Sequence, residues 1–120
     1  MRILLFVALG GGIGSVLRYV VSTAVNDRAA PWGTILVNVI GSAVLGFLVG
    51  WFTRRPIDTA LEIGILTGVL GGFTTFSTFT AETVALVEGG RWDTALINVA
   101  FSVIVGLGAA GVGLAVARAV

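Results

Sequence analysis

The sequence has 120 residues, of which 57% are hydrophobic and 11% are charged, and its formal net charge is +1. A mean hydropathy of +1.07 is too high for a small soluble domain, which could not hide that much apolar surface from water, so the chain is expected in a membrane. It contains no cysteine and no histidine, which excludes disulfide frameworks, thiolate metal sites and the commonest proton shuttle.

Apolar stretches separated by short polar segments fill nearly the whole chain. A helix that spans a bilayer needs about 20 mainly apolar residues. The sequence therefore predicts an all-α, multi-pass protein of the cell membrane, surrounded by lipid, with one domain over residues 1–120 and four spans at residues 3–24, 33–52, 59–87 and 94–116. All seven basic residues are arginine, and they form no long run, so no nucleic-acid partner is expected.

The first predicted span contains the glycine-rich stretch Gly-Gly-Gly-Ile-Gly at residues 10–14. A nucleotide-binding loop is excluded, because Ser15 stands where the third glycine of that fingerprint would fall and no strand precedes it. Gly10 and Gly14 instead have the spacing that lets two helices approach closely in lipid. Arg18, near the far end, has two open interpretations: it snorkels to the membrane surface, or it faces protein or an ion vestibule.

A polar loop at residues 25–31, ending in proline, leads into the second span. Ser42, Gly46 and Gly50 recur every four residues there, which predicts a structural packing stripe. Asn38 is different, because an amide without partners in hydrocarbon costs several kcal/mol. It is expected either to face a polar pathway or to form a hydrogen bond between helices.

The third apolar stretch is longer than one span requires, and it contains Gly-Gly-Phe-Thr-Thr-Phe-Ser-Thr-Phe at residues 71–79. Glycines followed by threonines favour a break in the helix near residues 71–75. Backbone freed from helical pairing at this depth is tolerated where it is buried in protein or lines a polar cavity. The four-residue spacing of Gly64, Gly68 and Gly72 also predicts close helix packing, which is compatible with a break.

Beyond the predicted break, phenylalanines and polar side chains follow one another at helical spacing. Phe76, Phe79 and Glu82 share a face, and Thr75, Thr78 and Glu82 lie along a neighbouring strip. The edge of a phenylalanine ring is electropositive, so ring edges turned inward could hold a small anion, whereas most membrane phenylalanines face lipid or core.

The fourth span places Asn98, Ser102 and Gly106 four residues apart. Two polar side chains on one face form a short polar track, although such groups serve as helix-to-helix hydrogen bonds as often as they line a pathway.

The arginines are biased only weakly toward one side of the membrane, which weakly favours termini on the inside. With four spans, Arg2, Arg54, Arg55 and Arg118 lie on one side, and Arg28 and Arg91 on the other, with Arg18 undecided. So small a bias favours insertion in both orientations, and the hypothesis is a dual-topology, antiparallel homodimer.

Three motifs together resemble those of the Fluc (CrcB) fluoride channels. They are Gly-Gly-Ile-Gly-Ser-Val-Leu-Arg-Tyr at residues 11–19, Gly-Thr-x-x-Val-Asn-x-x-Gly at residues 33–41, and Gly-Gly-Phe-Thr-Thr-Phe-Ser-Thr-Phe-x-x-Glu at residues 71–82. The resemblance covers the whole chain, and the third motif is the most specific.

The resemblance implies a passive fluoride exporter, built as an antiparallel homodimer with two pores and a central structural sodium ion. Broken third helices would cross at the centre, where the carbonyls of Gly71 and Thr74 would hold the sodium. Such hard oxygen ligands suit this kind of cation. No organic cofactor is implied.

The same resemblance assigns the pore residues. Phe76 and Phe79 would be the paired phenylalanines, Asn38 the pore amide, and Glu82 the carboxylate beyond them. Glu82 either accepts hydrogen bonds that orient donors or is partly protonated in its apolar setting. The remaining donors would be the hydroxyls of Thr75 and Thr78 and the polar track of Asn98 and Ser102, where Gly106 departs from the family pattern because it has no hydroxyl.

Two other functions are compatible with four spans. A small multidrug or proton exchanger would need a carboxylate in the middle of a helix, whereas Glu62 and Glu82 flank the predicted break. A non-transporting assembly subunit would need no polar track with phenylalanines. The sequence offers no nucleophile, base and acid set, so it is not expected to be an enzyme.

Overall fold

The computed structural model describes residues 1–25 and 30–120, and the secondary structure of this part of the chain is helical. Its four long helical spans, Arg2–Val25, Trp32–Arg54, Thr59–Glu88 and Trp92–Ala119, are long and apolar enough to cross a membrane. The all-helical, four-span prediction is therefore confirmed. The loop predicted before the second span falls mostly on residues 26–29, which lie outside the described residues.

The first span packs directly against the part of the third span that precedes residue 74. Close contact is possible because glycines meet backbone there. A Cβ on Gly14 would overlap the carbonyl oxygen of Val69, and one on Gly72 would come within 2.6 Å of the carbonyl oxygen of Gly11. The prediction that these glycines serve close packing is confirmed.

The second and fourth spans form the other close pair. A Cβ on Gly46 would overlap the carbonyl oxygen of Ala110, and one on Gly113 would overlap that of Ala43. At the end of this pair, the Arg54 guanidinium donates to the carbonyl oxygens of the last helical turn of the fourth span. These contacts fix how the two spans are placed along each other.

The third span begins at a well-defined cap. Oδ1 of Asp58 accepts hydrogen bonds from the amides of Ala60 and Leu61, at 3.1 and 3.2 Å. The same oxygen lies 2.6 Å from Nη2 of Arg2. The hydrogen bond from Arg2, followed by that from the Leu61 amide, holds the pKa of Asp58 below its usual range. The cap thus links the beginnings of the first and third spans.

Two stretches have the wider turns of a π-helix, Gly64–Leu70 in the third span and Ala100–Val105 in the fourth. Such turns occur often at functional sites. The first stretch ends directly before Gly71, and the second contains Ser102. Both therefore adjoin residues that the sequence analysis proposed for the ion sites.

Extended backbone occurs within the third span at Thr74 and Thr75. Their φ and ψ angles are −82° and 159° for Thr74, and −149° and 118° for Thr75. Helical backbone ends at Phe73 and begins again at Phe76. The Thr74 amide still donates to the carbonyl oxygen of Leu70 at 3.0 Å, so the backbone groups that need other partners begin with the Thr75 amide.

Candidate functional site

Asn38 on the second span supplies partners for the extended backbone of the third span. The amide of Thr75 donates to Oδ1 of Asn38 at 2.9 Å, and Nδ2 of Asn38 donates to the carbonyl oxygen of Thr75 at 3.2 Å. Gly41, one turn further on, allows this close approach, because a Cβ there would overlap the methyl group of Thr74. Asn38 therefore forms the hydrogen bonds between helices that were one of its two predicted roles.

The side chain of Thr75 begins the next helix. Its Oγ1 accepts a hydrogen bond from the amide of Thr78 at 3.1 Å, in the manner of an N-cap, and lies 3.0 Å from the hydroxyl of Thr78. Thr75 is buried, whereas Thr78 is exposed. The cap fixes the direction of the helix that begins after the extended segment, and this helix carries Phe76 and Phe79.

A cavity of about 290 Å³ lies beside this segment. The rings of Phe76 and Phe79 face it, with centroids 5.5 Å apart and planes inclined by 46°. Phe79 is 7% exposed, whereas Phe76 is 75% exposed on the surface of the single chain. Polar groups from three spans line the same cavity: Asn38, Ser42, Thr74, Thr75 and Ser102.

Asn98 lies fully inside the protein rather than along this cavity. It is 0% exposed, and its Nδ2 donates to Oγ1 of Thr83 at 3.0 Å and to the carbonyl oxygen of Phe79 at 3.4 Å. The Ser102 hydroxyl in turn donates to Oδ1 of Asn98 at 3.4 Å. The two members of the predicted polar track are thus in contact, but within the single chain Asn98 orients its neighbours while Ser102 reaches the cavity.

Glu82 is paired with a residue of the second motif to which the sequence analysis gave no role of its own. The hydroxyl of Thr34 donates to Oε1 of Glu82 at 3.0 Å, and Thr34 is 1% exposed. Oε2 of Glu82 is buried and has no hydrogen-bond partner within the described part of the chain. Thr34 precedes Asn38 by four residues, so helical periodicity could have placed it on the same face as the amide.

Arg18 faces the protein. It is half-buried, and its Nη1 donates to the carbonyl oxygen of Thr74 at 3.4 Å. It lines a second cavity, of about 330 Å³, which also adjoins the extended segment at Thr75. The lining of that cavity is rich in hydroxyl groups, and it consists of Ser15, Arg18, Tyr19, Ser22, Thr34, Val37, Thr75 and Thr78.

The carbonyl groups near Gly71 are released from regular helical pairing. The amide of Thr75 donates to Asn38 instead of to the Gly71 carbonyl four residues earlier. Gly71 is exposed, and a Cβ added there would meet nothing within 4 Å. Thr74 contributes a carbonyl in extended backbone, which also accepts the long hydrogen bond from Arg18. Neutral oxygen donors of this kind suit a hard cation, so these groups fit a small alkali ion.

Comparison with known proteins gives one consistent result. The family described as CrcB-like protein, Camphor Resistance (CrcB), matches residues 5–114. A protein of Magnetococcus marinus named Fluoride-specific ion channel FluC is 50% identical, over 94% of this chain and 95% of its own length. Proteins with the same name from Novosphingobium aromaticivorans and Syntrophotalea carbinolica are 44% and 43% identical, each over 96% of this chain and over 95% and 97% of their own lengths.

Proposed function

Because the chain belongs to the CrcB family, we propose that it is a fluoride-specific ion channel, through which fluoride leaves the cell passively. It is a multi-pass protein of the cell membrane and not an enzyme. The observation that best supports this function is a single cavity. It is lined by the amide of Asn38, the hydroxyls of Thr75 and Ser102, and the rings of Phe76 and Phe79.

Fluoride is a small anion that holds its water strongly, so a pathway must replace that water with other donors. Around this cavity the donors are the second Nδ2 hydrogen of Asn38, the hydroxyl of Ser42, the hydroxyl of Ser102 when it turns from its 3.4 Å contact with Asn98, and the electropositive edges of Phe76 and Phe79. The apolar ring faces exclude bulk water from the same space. A larger anion such as chloride gains less from these closely spaced donors, which accounts for selectivity.

The cavity around Arg18 would be the vestibule that leads to this pathway. A guanidinium concentrates anions near itself, and hydroxyl groups of the same cavity can replace part of their hydration. Thr34 connects the vestibule to Glu82, because its hydroxyl lines the cavity and donates to the carboxylate. This contact favours the interpretation that Glu82 orients a donor.

We propose further that two chains form an antiparallel, dual-topology homodimer. Phe76 supports this arrangement, since a ring at a functional cavity is 75% exposed on the single chain and a second copy would cover it. The small bias of the arginines toward one side allows both orientations. The extended segment at Thr74 and Thr75 would be the broken third helix of the family, lying near the axis between the two chains.

A sodium ion would be held at that axis by the carbonyl oxygens of Gly71 and Thr74 from both chains. Its chemistry there would be electrostatic: a fixed positive charge between carbonyl groups that otherwise repel each other, close to the anion pathway. Arg18, which already donates to the Thr74 carbonyl, would help to hold that group in place.

One crosslinking experiment tests the dimer and the sodium together. Protein in vesicles should crosslink as dimers. A reagent that cannot cross the membrane should label some C-terminal tags from outside and the others only after the vesicles are opened. The dimer fraction should fall when sodium is replaced by N-methylglucamine at equal ionic strength. Tags on one side in all molecules would rule out dual topology. A dimer fraction that stays the same when sodium is replaced would rule out the sodium site.

The channel function itself is tested by anion efflux from vesicles that contain the purified protein. We expect rapid loss of fluoride while chloride is retained, and no loss of fluoride from protein-free vesicles. Fluoride retention by vesicles that contain folded dimers would overturn the proposed function. Equal loss of chloride would show a pathway without the expected selectivity.

A further inference from the structure

The polar track of Asn98 and Ser102 on the fourth span goes no further, because the position four residues after Ser102 is Gly106. Gly106 is buried. A Cβ added there would lie 3.5 Å from the hydroxyl oxygen of Ser42, which is an ordinary contact distance. The space next to position 106 therefore already contains a hydroxyl group, which comes from the second span.

Ser42 lies where two cavities adjoin. It lines the cavity of about 290 Å³ that contains the phenylalanine rings, and also a cavity of about 340 Å³ that continues past Gly106 to Ala110. Four residues line both cavities, and the polar ones among them are Ser42 and Ser102. An ion that moves from one cavity to the other passes these two hydroxyl groups.

The Ser42 hydroxyl is available to such an ion. Hydroxyls on helices commonly donate to the carbonyl oxygen of the preceding turn, as those of Thr53, Thr80 and Thr83 do in this protein. Ser42 makes no hydrogen bond through its hydroxyl with any described residue. Ser42 is half-buried, so its hydroxyl is neither enclosed in a packed core nor fully at the surface.

Ser42 also differs from the glycines with which it shares a four-residue spacing. A Cβ on Gly46 would overlap backbone of the fourth span, and a Cβ on Gly50 would come within 2.9 Å of the Ala117 side chain. Those two positions serve close packing. Ser42, at the end of the same row, opens onto the cavities instead, so the predicted packing stripe does not describe its role.

We propose that Ser42 supplies the hydrogen-bond donor that position 106 lacks, so that the fluoride pathway passes from Ser102 of the fourth span to Ser42 of the second. This inference rests on the proposed channel function. Asn38 and Ser42 are four residues apart on one helix face and line the same cavity, so the second span provides consecutive donors along the path.

The test is fluoride efflux from vesicles that contain the Ser42→Ala variant. Removing one hydrogen bond to an anion is expected to slow efflux about tenfold. A second substitution, Gly106→Ser in the same chain, returns a hydroxyl to this space from the other helix and should restore most of the lost rate. Thr53→Ala, which removes a hydroxyl that donates to the Val49 carbonyl elsewhere on the second span, should leave the rate unchanged.

The outcomes separate this inference from the function on which it rests. If the unsubstituted protein releases no fluoride, the proposed function fails. If it releases fluoride and Ser42→Ala does so at the same rate, the function stands and the role of Ser42 is wrong. If Ser42→Ala is slow and Gly106→Ser does not restore the rate, Ser42 contributes by packing rather than by donating, and the proposal is also overturned. Size-exclusion profiles identify variants that retain the unsubstituted assembly.

Discussion

Replacing Phe76 with isoleucine is expected to slow fluoride efflux by about a hundredfold, since about 3 kcal/mol of lost stabilisation of an ion corresponds to two powers of ten. Isoleucine keeps the apolar bulk but has no electropositive ring edge. Phe76 is the better choice of the pair, because it is 75% exposed on the single chain and its loss does not open the core, whereas Phe79 is 7% exposed.

The matched control is Phe101→Ile. Phe101 is also exposed on a membrane span, but its ring lies 6.4 Å from that of Trp32 and does not line the cavity of Phe76 and Phe79. Efflux through Phe101→Ile should be normal. An unchanged rate in Phe76→Ile would show that the ring is dispensable. Equal slowing in both variants would indicate a general effect of removing an aromatic ring from the membrane surface.

Gly14→Ala is expected to have the largest effect on folding, lowering the free energy of unfolding by about 3 kcal/mol or more, as overpacking of a tight contact does. The added methyl group would overlap the Val69 carbonyl oxygen and lie 2.8 Å from the Phe73 amide nitrogen, and neither backbone atom can turn away as a side chain would. Forcing the first span outward would also displace the residues that lead into Thr74. We expect a much lower yield of protein and a lower melting temperature in detergent.

Gly12→Ala provides the comparison on the same helix. Gly12 is exposed, and a Cβ there would meet nothing within 4 Å of it in the described structure. Alanine has a better helix propensity than glycine, so this variant should melt at the same temperature as the unsubstituted protein or higher. Equal melting temperatures for Gly12→Ala and Gly14→Ala would contradict the close contact between the first and third spans.

Much of the architecture follows from local properties of the chain. Hydropathy predicts four spans because hydrocarbon tolerates few other structures, and glycines every four residues mark where helices approach closely. The extended backbone at Thr74 and Thr75 lies within the 71–75 segment where glycines and threonines favoured a break. In each case the local sequence marks the position, although the contacts that hold it come from another span, as Asn38 does for Thr75.

Contacts between spans were harder to predict, because they depend on which helices are neighbours. Thr34 and Ser42 carry ordinary hydroxyl groups, and nothing in the sequence distinguishes one that donates to Glu82 from one that faces a cavity. The wider turns at Ala100–Val105 have no composition that sets them apart. The burial of Asn98 among Phe79, Thr83 and Ser102 likewise depends on how the third and fourth spans pack against each other.

The paired hydrogen bonds between Asn38 and Thr75 resemble those that a neighbouring β-strand would offer, with one acceptor and one donor to the same residue. A single amide side chain thus acts as a one-residue strand inside a helical protein. The extended segment is therefore held by a side chain of the same protein, which keeps the groups around it in a fixed arrangement. Preorganisation of this kind removes a reorganisation step from every passage, which is an advantage for a protein that must move ions quickly rather than bind them tightly.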